Sequence, residues 1–291
     1  MNALVGLQCH LCHTPFPAEA LYVCDRCLGP LEPVYDYSAI HLTRDLIASR
    51  PKNLWRYREL LPIAGEPRTG FHSGFTPLVR CDRLADRLGL RELYIKDDSV
   101  NHPTLSYKDR VVSVAATRAL ELGFKVLACA STGNLANSVA AHAARLGVEC
   151  CVFIPDNLEA GLDHPEPVRP DTIAKSIAIG NPADGYHVVQ TVRETGGTGA
   201  AVTDQQLVHA IQLLAETEGI FTEPAGGTTL AAAIELVRRG VIARDESVVV
   251  CVTGNGYKTG EVVQGRLTPA VRLSRAFKEF EAWWETRQAI A

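Results

Sequence analysis

Long apolar runs are missing from this sequence. No stretch approaches 18 unbroken apolar residues, so no membrane partner is expected. The opening MNALVGLQC lacks a basic segment followed by an apolar one, which fits a cytoplasmic protein rather than an exported one. An excess of charge is missing too: 29 Lys and Arg stand against 33 Asp and Glu, a net charge of -4. Nucleic-acid binding calls for a basic face, so nucleic acid is not an expected partner, and no block of like charges marks a tail. A disulfide framework is also absent. Of nine cysteines, four sit together near the start, and Cys129, Cys150, Cys151 and Cys251 lie in apolar runs, where cysteine behaves as a small hydrophobe.

What is present is a chain of 291 residues, 46% hydrophobic, long enough for a sizeable core and about two domains. Residues 28–76 are punctuated by Pro and Gly and read as a lead-in. Beyond residue 77, strands alternate with helices. Leu93–Lys96 reads as a strand, Arg110–Leu122 as a helix closed by Gly123, and Lys125–Ala130 as a second strand. A helix over Leu135–Leu146 and a strand over Val148–Ile154 follow. After a Pro-rich stretch at 155–182, a helix runs to about Thr195 and a strand covers Gly199–Val202. Asp204 or Thr203 caps a helix over Gln205–Thr217. Ile220–Thr222, a helix over Thr228–Arg239 and a strand over Ser247–Val252 complete the alternation. This is the pattern of an α/β fold with doubly wound, mostly parallel sheets, whose apolar strands are covered by helices on both faces. The last segment places Phe277, Phe280, Trp283 and Trp284 on one helical stripe, read as packing on the body or on a second copy in a homodimer.

Three stretches carry chemistry. Cys9, Cys12, Cys24 and Cys27 form CxxC-x11-CxxC, the spacing of two zinc-ribbon knuckles. Four thiolates close a tetrahedral structural zinc site; the alternatives are free thiols, or a set in which His10 or His13 substitutes. Ser131-Thr132-Gly133-Asn134 follows a strand and opens a helix, where unpaired N–H groups suit a carboxylate or phosphate, or where Ser and Thr simply cap. Lys108 ends the turn Pro103-Thr104-Leu105-Ser106-Tyr107 at a helix start. It is either a surface lysine, or one whose charged form is disfavoured by the positive helix end and an apolar site, which frees the amine as a nucleophile.

These residues resemble the fold-type II pyridoxal-phosphate enzymes, and the threonine synthases in particular. Gly74-Phe75-Thr76-Pro77-Leu78, Tyr94-Ile95-Lys96-Asp97-Asp98, the Lys108 turn and Ala130-Ser131-Thr132-Gly133-Asn134 are similar to motifs of that group. So are Phe221-Thr222-Glu223-Pro224-Ala225 and Val252-Thr253-Gly254-Asn255-Gly256. The knuckles before the fold also occur in many threonine synthases. The resemblance implies that Lys108 holds pyridoxal phosphate as an imine, that Asn134 bonds the cofactor's phenolic oxygen and that Thr253 faces its pyridine nitrogen. Ser131 and Thr132 would grip the substrate carboxylate. The implied reaction converts O-phospho-L-homoserine and water to L-threonine and phosphate, with structural zinc in the ribbon. A serine/threonine dehydratase, a cysteine-synthase-like enzyme, or an inactive remnant that keeps a zinc ribbon are the alternatives.

The sequence departs from the pattern at four places. His102 stands where Asn is usual, Leu105 where Gly is usual, and Tyr107 where Phe is usual. Leu105 calls for a negative φ and hence a slightly different turn. The fourth departure is a missing block: the expected glycine-rich loop for the cofactor phosphate has no counterpart, and residues 156–175 mark the seam. Gly226-Gly227-Thr228-Thr229, at a helix N-terminus, is the candidate substitute anion site. A sheet without its central strands exposes apolar faces and edges. The expected organisation is therefore a zinc-ribbon-like segment (1–36), a lead-in and Lys108-bearing domain (37–182), an incomplete second domain (183–270) and a C-terminal amphipathic helix (271–291).

Overall fold

A computed structural model describes residues 3–131, 133–153, 170–179, 191–264, 274 and 277–288. The chain divides into two compact units, Met1–Thr259 and Gly260–Ala291.

The first unit begins with an antiparallel sheet of β1 (Leu4–Cys9), β2 (Pro15–Phe16) and β3 (Leu31–Tyr35), in the order β2-β1-β3. After the short helix α1 (Arg44–Ser49) come β4 (Leu78–Arg80), α2 (Asp82–Leu88) and β5 (Glu92–Asp97). The sequence expectations then hold closely through α3 (Lys108–Glu121), β6 (Val126–Ala130), α4 (Asn134–Leu146) and β7 (Glu149–Phe153). So do α5 (Asp204–Glu218) and β8 (Ser247–Val252), while α6 (Pro224–Arg238) starts four residues before the expected helix. Local chemistry explains the ends. Thr203 and Gln206 form a reciprocal capping box on α5, and Pro224 opens α6 where its missing N–H costs nothing.

β5 pairs in parallel with β8 and antiparallel with β4; β6 pairs in parallel with β7. The β5–β8 pair joins residues 92–97 to 247–252, so the boundary expected near 182 does not separate two sheets. Leu84, Leu93 and Ile95 meet Leu214, Leu230, Val250 and Val252 in one core, all within 2% of complete burial. Strands expected at Gly199–Val202 and Ile220–Thr222 do not form; Thr222 makes only an isolated bridge to Asn255. Short runs without a neighbouring edge have no ladder to join.

Among the described residues, the strands are not covered on both faces. β5 alternates between buried and half-buried positions, but Val249 and Cys251 of β8 and Val152 and Phe153 of β7 are exposed, Phe153 by 63%. The reading of Cys251 as an interior hydrophobe therefore fails, while Cys129, Cys150 and Cys151 are half-buried. Open apolar faces are the expected mark of a sheet lacking neighbours.

In the second unit, α7 (Phe277–Gln288) carries the aromatic stripe. Phe280 stacks on Trp284 at 6.2 Å, and both remain substantially exposed. Among the described residues no helix is long and apolar enough to cross a membrane.

Candidate active site

Three loops separated in sequence tie the turn before Lys108 in place. Asn101 accepts from the Gly74 N–H at 2.8 Å and donates to the Ser106 carbonyl at 2.8 Å. The Tyr107 N–H donates to the Thr253 carbonyl at 3.0 Å, and Ser106 bridges Gly254. The fully buried Asp109 carboxylate then accepts from the Thr104 N–H at 2.9 Å, the Thr104 hydroxyl at 2.8 Å and Ser138 of α4 at 2.8 Å. This knot fixes the start of α3 relative to the start of α4. Lys108 is the first residue of α3, two residues earlier than expected, and its ammonium lies 4.8 Å from the Tyr107 ring centroid.

Leu105 corrects the expected turn. Its φ is 59°, in the left-handed region, so the backbone keeps the conformation a glycine would take rather than shifting to suit leucine. Leu105 is bonded at both ends, from its N–H to Asn101 O and from Asn255 N–H to its own carbonyl, which holds it there. Relief of a left-handed penalty of about 1–2 kcal/mol, less the entropy glycine loses on folding, predicts that Leu105→Gly raises stability by roughly 0.5–1 kcal/mol. The urea midpoint of the two proteins measures this.

The side chains expected to hold the cofactor converge on a carboxylate that the sequence reading passed over. Asn134 Nδ2 donates to both oxygens of Glu223, at 3.1 and 2.8 Å, and the Thr253 hydroxyl donates to Glu223 at 3.3 Å. Glu223 is 3% exposed. It is the N-cap residue of α6 yet makes no capping bond, because its carboxylate is turned into this cluster. Lys258 completes the group, donating to Asn134 Oδ1 at 2.8 Å. Burial pushes the Lys258 pKa down, against the opposing pull of Glu223 and Asp109. A signal for both was present: a glutamate is a poor cap ahead of Pro224, and Lys258 lies just past Thr253.

At the mouth of α4, Ser131 Oγ accepts from the Gly133 N–H at 3.2 Å, and the N-cap Gly133 offers the helix no side-chain cap. Of the two roles open to Ser131, helix capping is therefore not used. Thr132 lies outside the described residues. The glycines proposed as a substitute phosphate site do something else. A Cβ on Gly226 would stand 2.1 Å from Thr222 Oγ1, and one on Gly227 2.6 Å from Ile211 of α5. Thr228 and Thr229 donate back to the Pro224 and Ala225 carbonyls. These positions are small for close packing, not for an anion.

His142 of α4 is buried beneath the Lys108 turn, with Nδ1 2.8 Å from the Thr69 hydroxyl and Nε2 3.9 Å from Asp109. Burial pushes its pKa below the usual 6.5, against the pull of Asp109. Below pH 6.5 the unfolded chain therefore takes up a proton that the folded one refuses. Stability falls with pH from that point until the folded imidazole also titrates. Urea unfolding between pH 8 and 5 will show this slope, flattened in His142→Asn.

An amide and a hydroxyl are donors that fit the ring end of pyridoxal phosphate, and here Asn134 and Thr253 both give theirs to the Glu223 carboxylate. Ser106 Oγ, buried without a hydrogen-bond partner two residues before Lys108, is a polar atom that a bound group would satisfy. Among the described residues there is no glycine-rich loop to receive the phosphate end.

In the ribbon, the four cysteine sulfurs lie within 4.8 Å of one another, with Cys9–Cys27 at 3.4 Å and Cys12–Cys24 at 3.5 Å. A tetrahedral site with Zn–S bonds of about 2.3 Å needs sulfurs roughly 3.8 Å apart, so the set fits zinc. Hydrogen bonds from the Thr14 hydroxyl and N–H hold the Cys12 thiol down at about 6. His10 instead pairs with Glu32 at 2.9 Å, and neither His10 nor His13 belongs to the ligand group.

The fold belongs to a known class. The pyridoxal-phosphate dependent enzyme family matches residues 70–162 and 156–254, and the chain belongs to that family. Within it, the chain is similar to threonine synthase of Methanosarcina acetivorans, 28% identical over 378 positions covering 88% of this chain and 93% of the relative. It is 29% identical to that of Methanocaldococcus jannaschii over 363 positions, with 82% and 89% covered. Both alignments are longer than the 291 residues of this chain, so the relatives hold residues with no counterpart here. The two family matches meet at 156–162, which locates the gap at the expected seam. Among solved structures, a pyridoxal 5'-phosphate-dependent aspartate racemase shares the fold, at 16% identity and a TM-score of 0.53, over 65% of this chain and 92% of its own.

Proposed function

We propose that the chain is a threonine-synthase-type lyase that converts O-phospho-L-homoserine and water to L-threonine and phosphate, acting in the cytoplasm. The observation that carries this reading is the convergence of the Lys108 turn, Asn134 and Thr253 across three loops. Pyridoxal phosphate, when bound, supplies an aldehyde for a lysine amine and a ring that draws off the electron pair left at Cα. Lys108 would hold it, and the freed amine would move protons, first from Cα and then from Cβ. Loss of the γ-phosphate, addition of water at Cβ and return of protons to carbon complete the balance. Asn134 would face the phenolic oxygen. Thr253 would face the ring nitrogen, where a hydroxyl does not enforce protonation as a carboxylate would. Ser131 and Thr132, with the uncapped N–H groups of α4, would take the substrate carboxylate. The exposed aromatic face of α7 would be buried in a homodimer.

A second reading has its own observation. The open faces of β7 and β8 suit a remnant that keeps the fold without turnover. Inorganic phosphate released from O-phospho-L-homoserine supports the lyase; ammonia from L-threonine points to a dehydratase instead. If neither appears, and the melting temperature does not respond to pyridoxal phosphate, the remnant reading stands.

A further inference from the structure

Lys258 belongs to no role assigned so far, yet it is the one cation hydrogen-bonded to Asn134 among the described residues. A lysine ammonium has donors only, so the atom of Asn134 facing it at 2.8 Å must be the amide oxygen. A carboxylate only accepts, so the atom facing both Glu223 oxygens must be the amide nitrogen. The two neighbours agree, and together they leave the amide one orientation. Without Lys258, rotation by half a turn would set the amide oxygen against the Glu223 carboxylate. With it, the flip would add a second clash, the NH2 against an ammonium.

We propose that Lys258 is a positioning residue that holds Asn134 with its NH2 turned inward, as an obligate donor to an anionic oxygen. Glu223 is that oxygen's holder in this structure, and the same N–H groups would serve the phenolic oxygen of the cofactor, so the inference rests on the reading above. Two further features agree. A Cβ on Gly254 would come within 2.5 Å of the Glu223 carboxylate, so the chain keeps the floor beneath the pair clear. Next to Lys258, the buried Thr259 hydroxyl has no hydrogen-bond partner. The charges facing Lys258 are those of Glu223, from the start of α6, and Asp109, from α3.

The test compares Lys258→Met, which keeps the length but not the donor, with Lys258→Arg, which keeps the donor. Titration of each protein with pyridoxal phosphate, followed by its visible absorbance, should show binding weakened about tenfold in Lys258→Met and restored to within about threefold in Lys258→Arg. Equal affinity in wild type and Lys258→Met overturns the inference, as does failure of Lys258→Arg to recover. In the protein without cofactor, urea midpoints of Lys258→Met, Asn134→Ala and the double variant form a cycle. Non-additive shifts support the coupling, and additive shifts overturn it. A wild type that gives no absorbance band defeats the proposed function alone, and the cycle still decides the role of Lys258.

Discussion

Lys108→Ala abolishes the visible absorbance that pyridoxal phosphate gives on the wild-type protein and lowers phosphate release from O-phospho-L-homoserine by at least about 10³-fold. The loss is chemical rather than structural. The Lys108 side chain is half-buried, and its contact with Tyr107 is a single cation–π approach at 4.8 Å. The turn is held by Asn101, Thr253 and the Asp109 knot, all of which the substitution leaves in place. A cation in the first turn of a helix is mildly unfavourable, so alanine there should leave the urea midpoint unchanged or slightly raised. The response of the melt to cofactor is the sharper readout. At a hundred times Kd a ligand of the folded state stabilises by about 2.7 kcal/mol, and Lys108→Ala should lose most of that shift. A variant that keeps the band would move the reactive amine elsewhere, with Lys258 the first place to look.

Loss of metal from the ribbon should have the second large effect. Few side chains hold residues 3–36 together: Ala3, Cys9 and Cys24 are its buried apolar residues, while Val5, Leu11, Tyr22, Val23 and Leu28 are all more than half exposed. A segment with so little core depends on its cross-link. Structural zinc contributes about 10–16 kcal/mol of apparent binding free energy in isolated finger peptides, and here that energy would be the stability of the ribbon. The expected result is one zinc per chain by atomic absorption, lost in Cys24→Ser. Chelation or that substitution should open the first ~40 residues to protease while the remainder resists. Four freely reacting thiols in the untreated protein, with no metal and no change on chelation, would contradict the site.

The sequence by itself determined most of the helices and the order of the motifs. Thr203 and the glycine after α4 mark helix ends through bonds made within a few residues, and such signals need no knowledge of the rest of the chain. The cysteine spacing likewise brought four sulfurs together, because two tight knuckles leave them little choice. Even the missing block was legible, as a break in an otherwise ordered series of motifs.

Tertiary structure decided what depends on distant neighbours. Whether Cys251 is interior or exposed turns on what lies against β8, which its own apolar run does not record. Leu105 takes a glycine's φ because Asn101 and Asn255 bind its backbone from both sides, which outweighs a penalty visible in the residue type alone. Glu223 and Lys258 become site residues only when α6 and the turn after β8 carry them to Asn134, more than eighty residues away in the chain, where a buried carboxylate, an amide and an ammonium can satisfy one another.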